Sequence, residues 1–583
     1  MYKSIFVNQC GYLPGIQKRV TIRSDRPVSF SVFQTDGACV FRGMADKRLE
    51  NASAGETDYV GDFSAVTAPG RYYITAEGHG ESDAFPIGAD AYDDVFQKSA
   101  AFFYLQRCGM KLPERAAGIY AHGACHTSPA LVYGTEEKRE VSGGWHDAGD
   151  YGRYVGPGAM ACAQLLYALE RNPGLCGNYV SPERFRSEPD VPQGKKDFSE
   201  EEGAACLKES RVNSGSDACG NKESFSGPEA GKAAFLDEIR YELDWMLKMQ
   251  REDGAPYHKA SCRRFCGFIM PDEERDELVL SPVSATATGD FAAVCAMAVR
   301  FYEESDPAYA GRLAEAARRA YAALKNMELP GGFKNPPEIK TGEYGDSCDE
   351  DERYWAAAEL YRAFGDDEYR EDFERLAAKK IYQGYGWSDM GSYGNLAYLS
   401  CGREIDEALK TAIEKAMTAS ADNLLDISAR DGYGASLTKN QYSWGSNLSI
   451  ANNGLTLYDA WKLTGEEKYF NAAAEQLHYL LGRNPMGLCY VTGCGTDAIR
   501  RPHHRPSGFL GKAMPGMLSG GPCSWLADET AKSIFTIDTP PAKCLADMTG
   551  SYSTNEVTIY WNSAMLMLLG SVAAQFAEGE RPV

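Results

Sequence analysis

The sequence predicts two architectures in one chain of 583 residues: a β-sandwich over residues 1–88, then a large all-α domain over 89–583. Three observations carry this. Val28-Ser-Phe-Ser-Val-Phe33 alternates strictly between apolar and polar residues, and Gly70-Arg-Tyr-Tyr-Ile74 follows a Pro69-Gly70 turn signal; short strands between turn signals are the pattern of a sandwich. From about residue 90 the apolar residues recur at helical spacing instead. The length also exceeds what one compact core usually holds, so two domains or one very large helical domain are expected.

In chain order, Ala292–Val299, Leu313–Tyr321, Trp355–Tyr361, Ala472–Leu481 and Ala564–Leu569 each place apolar residues on a helical face. Their small residues permit close helix contacts, and Gly/Pro-rich loops separate them. Residues 172–232 break the pattern: they are rich in Glu, Ser, Gly, Lys and Pro, with Cys176, Cys206 and Cys219 scattered through them. A weakly periodic stretch of that length is a mobile insertion or a functional lid.

Hydrophobic content of 44% and charged content of 24% are ordinary for a globular enzyme. A formal charge of −22 argues against nucleic acid or an anionic membrane as partner and is compatible with a neutral substrate. No stretch approaches the roughly 18–20 apolar residues of a membrane span. Met1-Tyr-Lys-Ser-Ile-Phe-Val-Asn-Gln9 runs directly into strand-like sequence and lacks the regions of a secretory leader. The expectation is a cytoplasmic protein if this N-terminus is native, and a secreted one if a leader was removed. Seventeen cysteines, an odd number at scattered spacings, favour reduced thiols over a full disulfide framework. The oligomeric state is left open.

The chemistry concentrates in two places. Ser142-Gly-Gly-Trp-His-Asp-Ala-Gly-Asp-Tyr151 sets Asp147 and Asp150 three residues apart in a glycine-bounded turn. Two close carboxylates separate their proton affinities, and an ionised one can hold a water as general base. Alone, Asp-x-x-Asp serves equally as a surface turn or a cation site. The second place is Asp547-Met-Thr-Gly-Ser-Tyr-Ser-Thr-Asn-Glu-Val-Thr-Ile-Tyr-Trp-Asn-Ser563, with a lone Glu556 far away in sequence. Breaking an acetal needs an acid for the leaving oxygen and a base for water on the opposite face.

Both stretches resemble the motifs of family 9 glycoside hydrolases, the inverting β-glucanases and cellodextrinases. The resemblance implies an (α/α)6 barrel and assigns Asp150 as base, Asp147 as its partner and Glu556 as general acid. Tyr552 and Asn555 would line the site and Asp547 would support it; Leu545 stands where the family usually has an aromatic. Asn8-Gln-Cys-Gly-Tyr-Leu-Pro14 and Gly61-Asp-Phe-Ser64 resemble the immunoglobulin-like module in front of many such catalytic domains. Tyr490–Gly493 through Pro502-His-His-Arg-Pro506 resembles the family's substrate signature, with His503 and Arg505 bonding sugar hydroxyls. Cys489 and Asp497 depart from that signature. Residues 172–232 are the main stretch the resemblance does not cover.

Cys108, Cys125, His126 and His146 together offer the closed tetrahedral shell of a structural zinc, at a spacing unlike a compact finger. The resemblance implies zinc at matching positions. Thr341–Asp346 and Asp349-Glu-Asp-Glu352 gather hard oxygen ligands suited to calcium. Asp346, Asp351, Glu352 and, by resemblance, Asp389 are the expected ligands; an acidic surface loop is the plain alternative. No organic cofactor is expected. Trp145, Trp355, Trp444 and Tyr552 lie in or beside the motifs and are placed near the cleft, where pyranose C–H faces pack on rings.

The expected activity is thus inverting hydrolysis of β-1,4-glucosidic bonds in cellulose-type β-glucans or cellodextrins. Alternatives are an exo-acting cellodextrinase, cellobiohydrolase or exo-glucosaminidase, and, from another class, a non-catalytic carbohydrate-binding protein. An intact acid/base set argues against the last, because a binder needs aromatics and no such pair.

Overall fold

In the computed structural model the described residues are 3–186, 227–327 and 332–576. Cys206, Cys219 and most of the expected 172–232 insertion lie outside them. The described start of that stretch is packed rather than loose: Asn172 caps the short helix Pro173–Gly177 by accepting from the Leu175 amide at 2.9 Å, and Cys176 is buried.

The N-terminal part is two antiparallel sheets face to face. One runs Ile5–Phe6, Arg19–Arg23, Glu56–Asp62, Lys47–Asn51 in spatial order; the other runs Cys39–Ala45, Val28–Gln34, Gly70–Ala76, the last pairing also with Gly80–Glu81 and Phe85–Ile87. The alternation read in Val28–Phe33 sends Val28, Phe30 and Val32 inward, as a half-buried strand requires. Phe30 packs against Gly61 of the facing sheet, where a side chain would collide with its ring.

The remainder holds twelve helices of nine residues or more among the described residues, arranged as an (α/α)6 barrel. Its inner ring is Val155–Arg171, Ala285–Tyr302, Glu350–Phe364, Gly391–Leu399, Ser446–Thr464 and Ile559–Ala574, the last returning to pack on the first. These helices are buried nearly all round, and alanine and glycine let their backbones approach. Outer helices such as Pro307–Lys325 and Asp367–Ala377 bury one stripe only. A small five-stranded sheet, absent from the sequence expectation, lies within this domain: Lys138–Arg139, Ala130–Val132, Leu278–Leu280, Lys259–Cys262 and Arg153–Tyr154 in spatial order. It carries the chain into and out of the Asp147–Asp150 turn.

Candidate active site

Glycine makes the turn. Gly143 and Gly144 take φ of +110° and +76°, and a Cβ on Gly144 would lie 2.7 Å from the Trp245 ring. The turn is held from behind. The Trp145 amide donates to Glu242 Oε2 at 2.5 Å, and Arg153 Nη1 donates to the carbonyls of Val141 and Gly143 at 2.6 and 2.8 Å. Asp147 is buried and receives the Tyr344 hydroxyl at 2.6 Å. Burial, then the charge of Asp150, pushes the Asp147 carboxyl well above the usual range, against that hydrogen bond. Asp150 Oδ2 accepts from the Gly152 amide at 3.0 Å and the Tyr154 hydroxyl at 3.3 Å.

Glu556 leaves the short helix Tyr552–Asn555 and pairs with His503 through a parallel bridge. Backbone bonds lace these segments to the turn: Ile559 N to Asp147 O at 2.8 Å and Arg505 N to Gly149 O at 3.1 Å. Gly149 permits this, because a Cβ there would sit 2.2 Å from the His503 carbonyl. Glu556 keeps partial exposure, while desolvation by the surrounding protein, then Asp150 and Asp147, pushes its carboxyl well above the ordinary value; Arg505 and a Trp444 hydrogen bond oppose the shift. A raised acid beside a hydrogen-bonded carboxylate is the pairing a proton donor and a general base need.

The other expected contacts divide. Trp444, 41% exposed, packs on Tyr552 with centroids 5.1 Å apart, and Tyr552 lies 5.9 Å from His503, so these three share the Glu556 side. His503 Nδ1 donates to Thr549 O at 2.7 Å. Arg505 is nearly buried and spends its guanidinium on Gly149 O at 2.6 Å and Cys266 O at 3.1 Å. Three placements near the substrate are corrected. Trp145 is fully buried, its indole N–H on Glu238 and its ring 4.7 Å from Phe103. Trp355 is fully buried against Tyr393. Neither has a face left for a sugar. Asn555 is buried too; it donates to Arg501 O and Asp547 and accepts from Ser519, so it fixes the backbone before Glu556.

Tyr344, Tyr154 and Glu242 were missed: Tyr344 lies within the acidic stretch read for calcium, Tyr154 just past the aspartate turn, and Glu242 in no local pattern. Phe265 and Phe268, exposed on the Cys262–Leu278 connection, were missed although two phenylalanines in the polar run Arg263-Arg-Phe-Cys-Gly-Phe268 were a visible signal. Phe268 meets the His503 ring edge-on at 5.4 Å.

Cys108, Cys125, His126 and His146 are all buried, with one ligand atom from each within 4.8 Å of the others. Two thiols and two imidazoles fit one soft ion in a closed shell. His126 holds φ at +49° and gives Nε2 to Glu274 at 2.9 Å, which leaves its buried Nδ1 unpartnered beside the thiols. Asp346, Asp351 and Glu352 likewise gather their oxygens within 4.8 Å. Asp389 lies outside that group, although its charge reaches Asp346 and Asp351. Buried Asp290, not anticipated, faces Glu352 and Asp351.

The Glycosyl hydrolase family 9 model matches residues 92–569 and the Cellulase N-terminal ig-like domain model matches 1–81. A cellodextrinase of Butyrivibrio fibrisolvens is 35% identical over 98% of this chain and 100% of its own length. A thermostable endoglucanase of Alicyclobacillus acidocaldarius, and AaCel9A in complex with cellobiose-like isofagomine, each superpose with a TM-score of 0.86 at 35% identity, over 98% of this chain and 100% of theirs. A Zn-binding triple mutant of endoglucanase J30 superposes at 0.82 with 30% identity, over 97% and 100%.

Proposed function

The chain belongs to glycosyl hydrolase family 9 and is a glycoside hydrolase; on that premise we propose that it hydrolyses β-1,4-glucosidic bonds in cellulose-type glucans or cellodextrins with inversion at the anomeric carbon. Asp150 activates the water with Asp147 beside it, and Glu556 protonates the leaving oxygen. The observation that carries this reading is the contrast between Glu556, pushed up by its surroundings, and Asp150, supplied with hydrogen-bond donors, on segments tied backbone to backbone. Inversion requires their carboxyls to stand roughly 6.5–9.5 Å apart, with room for water. Trp444 and Tyr552 offer ring faces to the sugar, and His503 its imidazole.

Exo-action on cellodextrins is the second reading, favoured by full-length similarity to a cellodextrinase. Zinc is the ion proposed for Cys108, Cys125, His126 and His146. It would cross-link three segments around the catalytic turn, and four protein ligands leave it no open position for chemistry. Calcium is proposed at Asp346, Asp351 and Glu352.

Product analysis on cellohexaose with anomer detection tests the function. Initial α-anomers, lost or cut by at least about a hundredfold in Asp150→Asn and Glu556→Gln, are expected. Full activity in either variant would remove the assignment, and product lengths over time distinguish endo from exo cutting.

A further inference from the structure

Lys259 is fully buried and spends its ammonium on uncharged oxygens, with no carboxylate in ion-pair contact among the described residues. It lies on the strand Lys259–Cys262, in register with Tyr154. Its ammonium donates to three oxygens of one turn, Thr341 Oγ1 at 3.1 Å, the Thr341 carbonyl at 3.5 Å and the Gly342 carbonyl. Neighbouring residues grip the same turn. His258 Nε2 meets the Glu343 carbonyl at 2.9 Å, and Ser261 shares a hydrogen bond with Thr341 at 2.8 Å. The turn ends at Tyr344, whose φ of +46° is costly for a residue with a Cβ. That tyrosine delivers its hydroxyl to Asp147. On its other side Lys259 lies 5.4 Å from the Tyr154 ring centroid, and the Tyr154 hydroxyl bonds Asp150.

We propose that Lys259 is a positioning residue for the hydrolytic base: its ammonium holds the strained Thr341–Tyr344 turn in place beneath Asp147 and sets a positive charge behind Asp150 on the acid side of neutrality. Resting on the assignment of Asp150 as base, this gives the lysine a task that packing alone does not explain. A methylene chain would fill the same space, but only a cation draws in three acceptors and stabilises an ionised carboxylate nearby. Burial lowers the Lys259 pKa to about 7, while the charges of Asp150 and Glu343 oppose that fall. Asp147, Tyr154, His503 and Glu556 also face Asp150. The small sheet contributes a second buried cation, Arg153, whose Nη1 is spent on the Val141 and Gly143 carbonyls.

The test compares full-length wild type, Lys259→Met, Lys259→Arg and Asp150→Asn on cellohexaose across pH. Lys259→Met is expected to lower kcat about tenfold with KM within about twofold, and to move the acid limb of kcat/KM upward by about half a pH unit. Lys259→Arg, keeping the charge, should return the limb and recover part of kcat. A Lys259→Met profile that superimposes on wild type, or equal losses in both variants with the limb unmoved, would overturn the proposal. Should Lys259→Met not fold, Thr341→Val decides: it removes one acceptor and leaves the charge, so kcat should fall several-fold with the limb fixed, and an unchanged kcat defeats the idea. Full activity in Asp150→Asn would instead topple the base assignment; an inactive Asp150→Asn beside a normal Lys259→Met removes only the role of Lys259.

Discussion

Trp444 serves Glu556 in two ways. On the proposed function its exposed ring, packed on Tyr552, would take a sugar face, and its hydrogen bond favours the ionised carboxylate, against the burial and neighbouring charges that raise the group. Trp444→Phe keeps a ring and removes the donor. Without that bond the neutral acid is favoured further, so Glu556 should stay protonated to higher pH. The basic limb of kcat/KM is expected to move upward, and KM to rise a few-fold from the smaller face. A pH–rate profile checks this, and a limb that moves downward would refute the assigned role. Residues like this one were legible where motif and chemistry coincide: Asp147, Asp150, Glu556, Trp444 and Tyr552 all belong to segments that meet here. Trp145 and Trp355 were not, because proximity in sequence to a motif carries no information about which way a ring points, and both rings turned into the core. Tyr344 and Lys259 gave no signal, since their roles arise from segments brought together by the fold.

At the scale of elements, the turn bearing Asp147 and Asp150 is stiffened on its N-terminal side by the His146 end of the thiol–imidazole cluster and on its C-terminal side by the strand Arg153–Tyr154. Glu274 orients His126 within that cluster from the Cys262–Leu278 connection, which also presents Phe268 to His503. Metal retention and the active site should therefore be coupled. With zinc as the proposed ion, Glu274→Gln is expected to weaken its binding by about 10–100-fold. Metal content after dialysis against a chelator, with Tm and kcat on the same samples, measures it: loss of zinc should lower both, and readdition should restore them. Full zinc retention by the variant would dismiss Glu274 as an orienting residue. The helices of the barrel were legible because their apolar spacing persists for many turns. Ala292–Val299 proved to lie within Ala285–Tyr302, and Ala564–Leu569 within Ile559–Ala574. The small sheet was not, since strands of two to four residues are too short to show an alternation, and two of its four pairings join residues more than a hundred apart, as Arg153 with Ala260 and Leu131 with Val279.

Over the whole molecule, the sandwich and the barrel are joined by buried polar contacts as well as by apolar surface. Arg483 of the barrel pairs with Glu475 and donates to Thr21 of the sandwich at 3.1 Å, Thr21 in turn donates to Gly432 O at 2.8 Å, and Gln9 N donates to Leu481 O at 2.9 Å. Asp58 lies in the same junction, fully buried, with Gly432 leaving space for it. Burial, then the charges of Glu56 and Asp431, raises its pKa to about 7, and burial raises Asp431 to about 6. Both values lie above those of an unfolded aspartate, about 3.9. The folded protein therefore binds more protons than the unfolded chain between about pH 4 and 7. Stability from these two groups is complete below the unfolded value and is lost as pH rises through the folded ones. Replacing Asp58 by asparagine removes the ionisation and keeps the shape. Calorimetric Tm measured from about pH 5 to 8 should fall less steeply in Asp58→Asn than in wild type, and the variant should be the more stable of the two at the alkaline end. Parallel slopes would mean that Asp58 does not titrate in the junction. A steeper slope in the variant would reverse the sign argued here and assign Asp58 a favourable charge–charge role with Arg23, the cation that opposes its raised pKa.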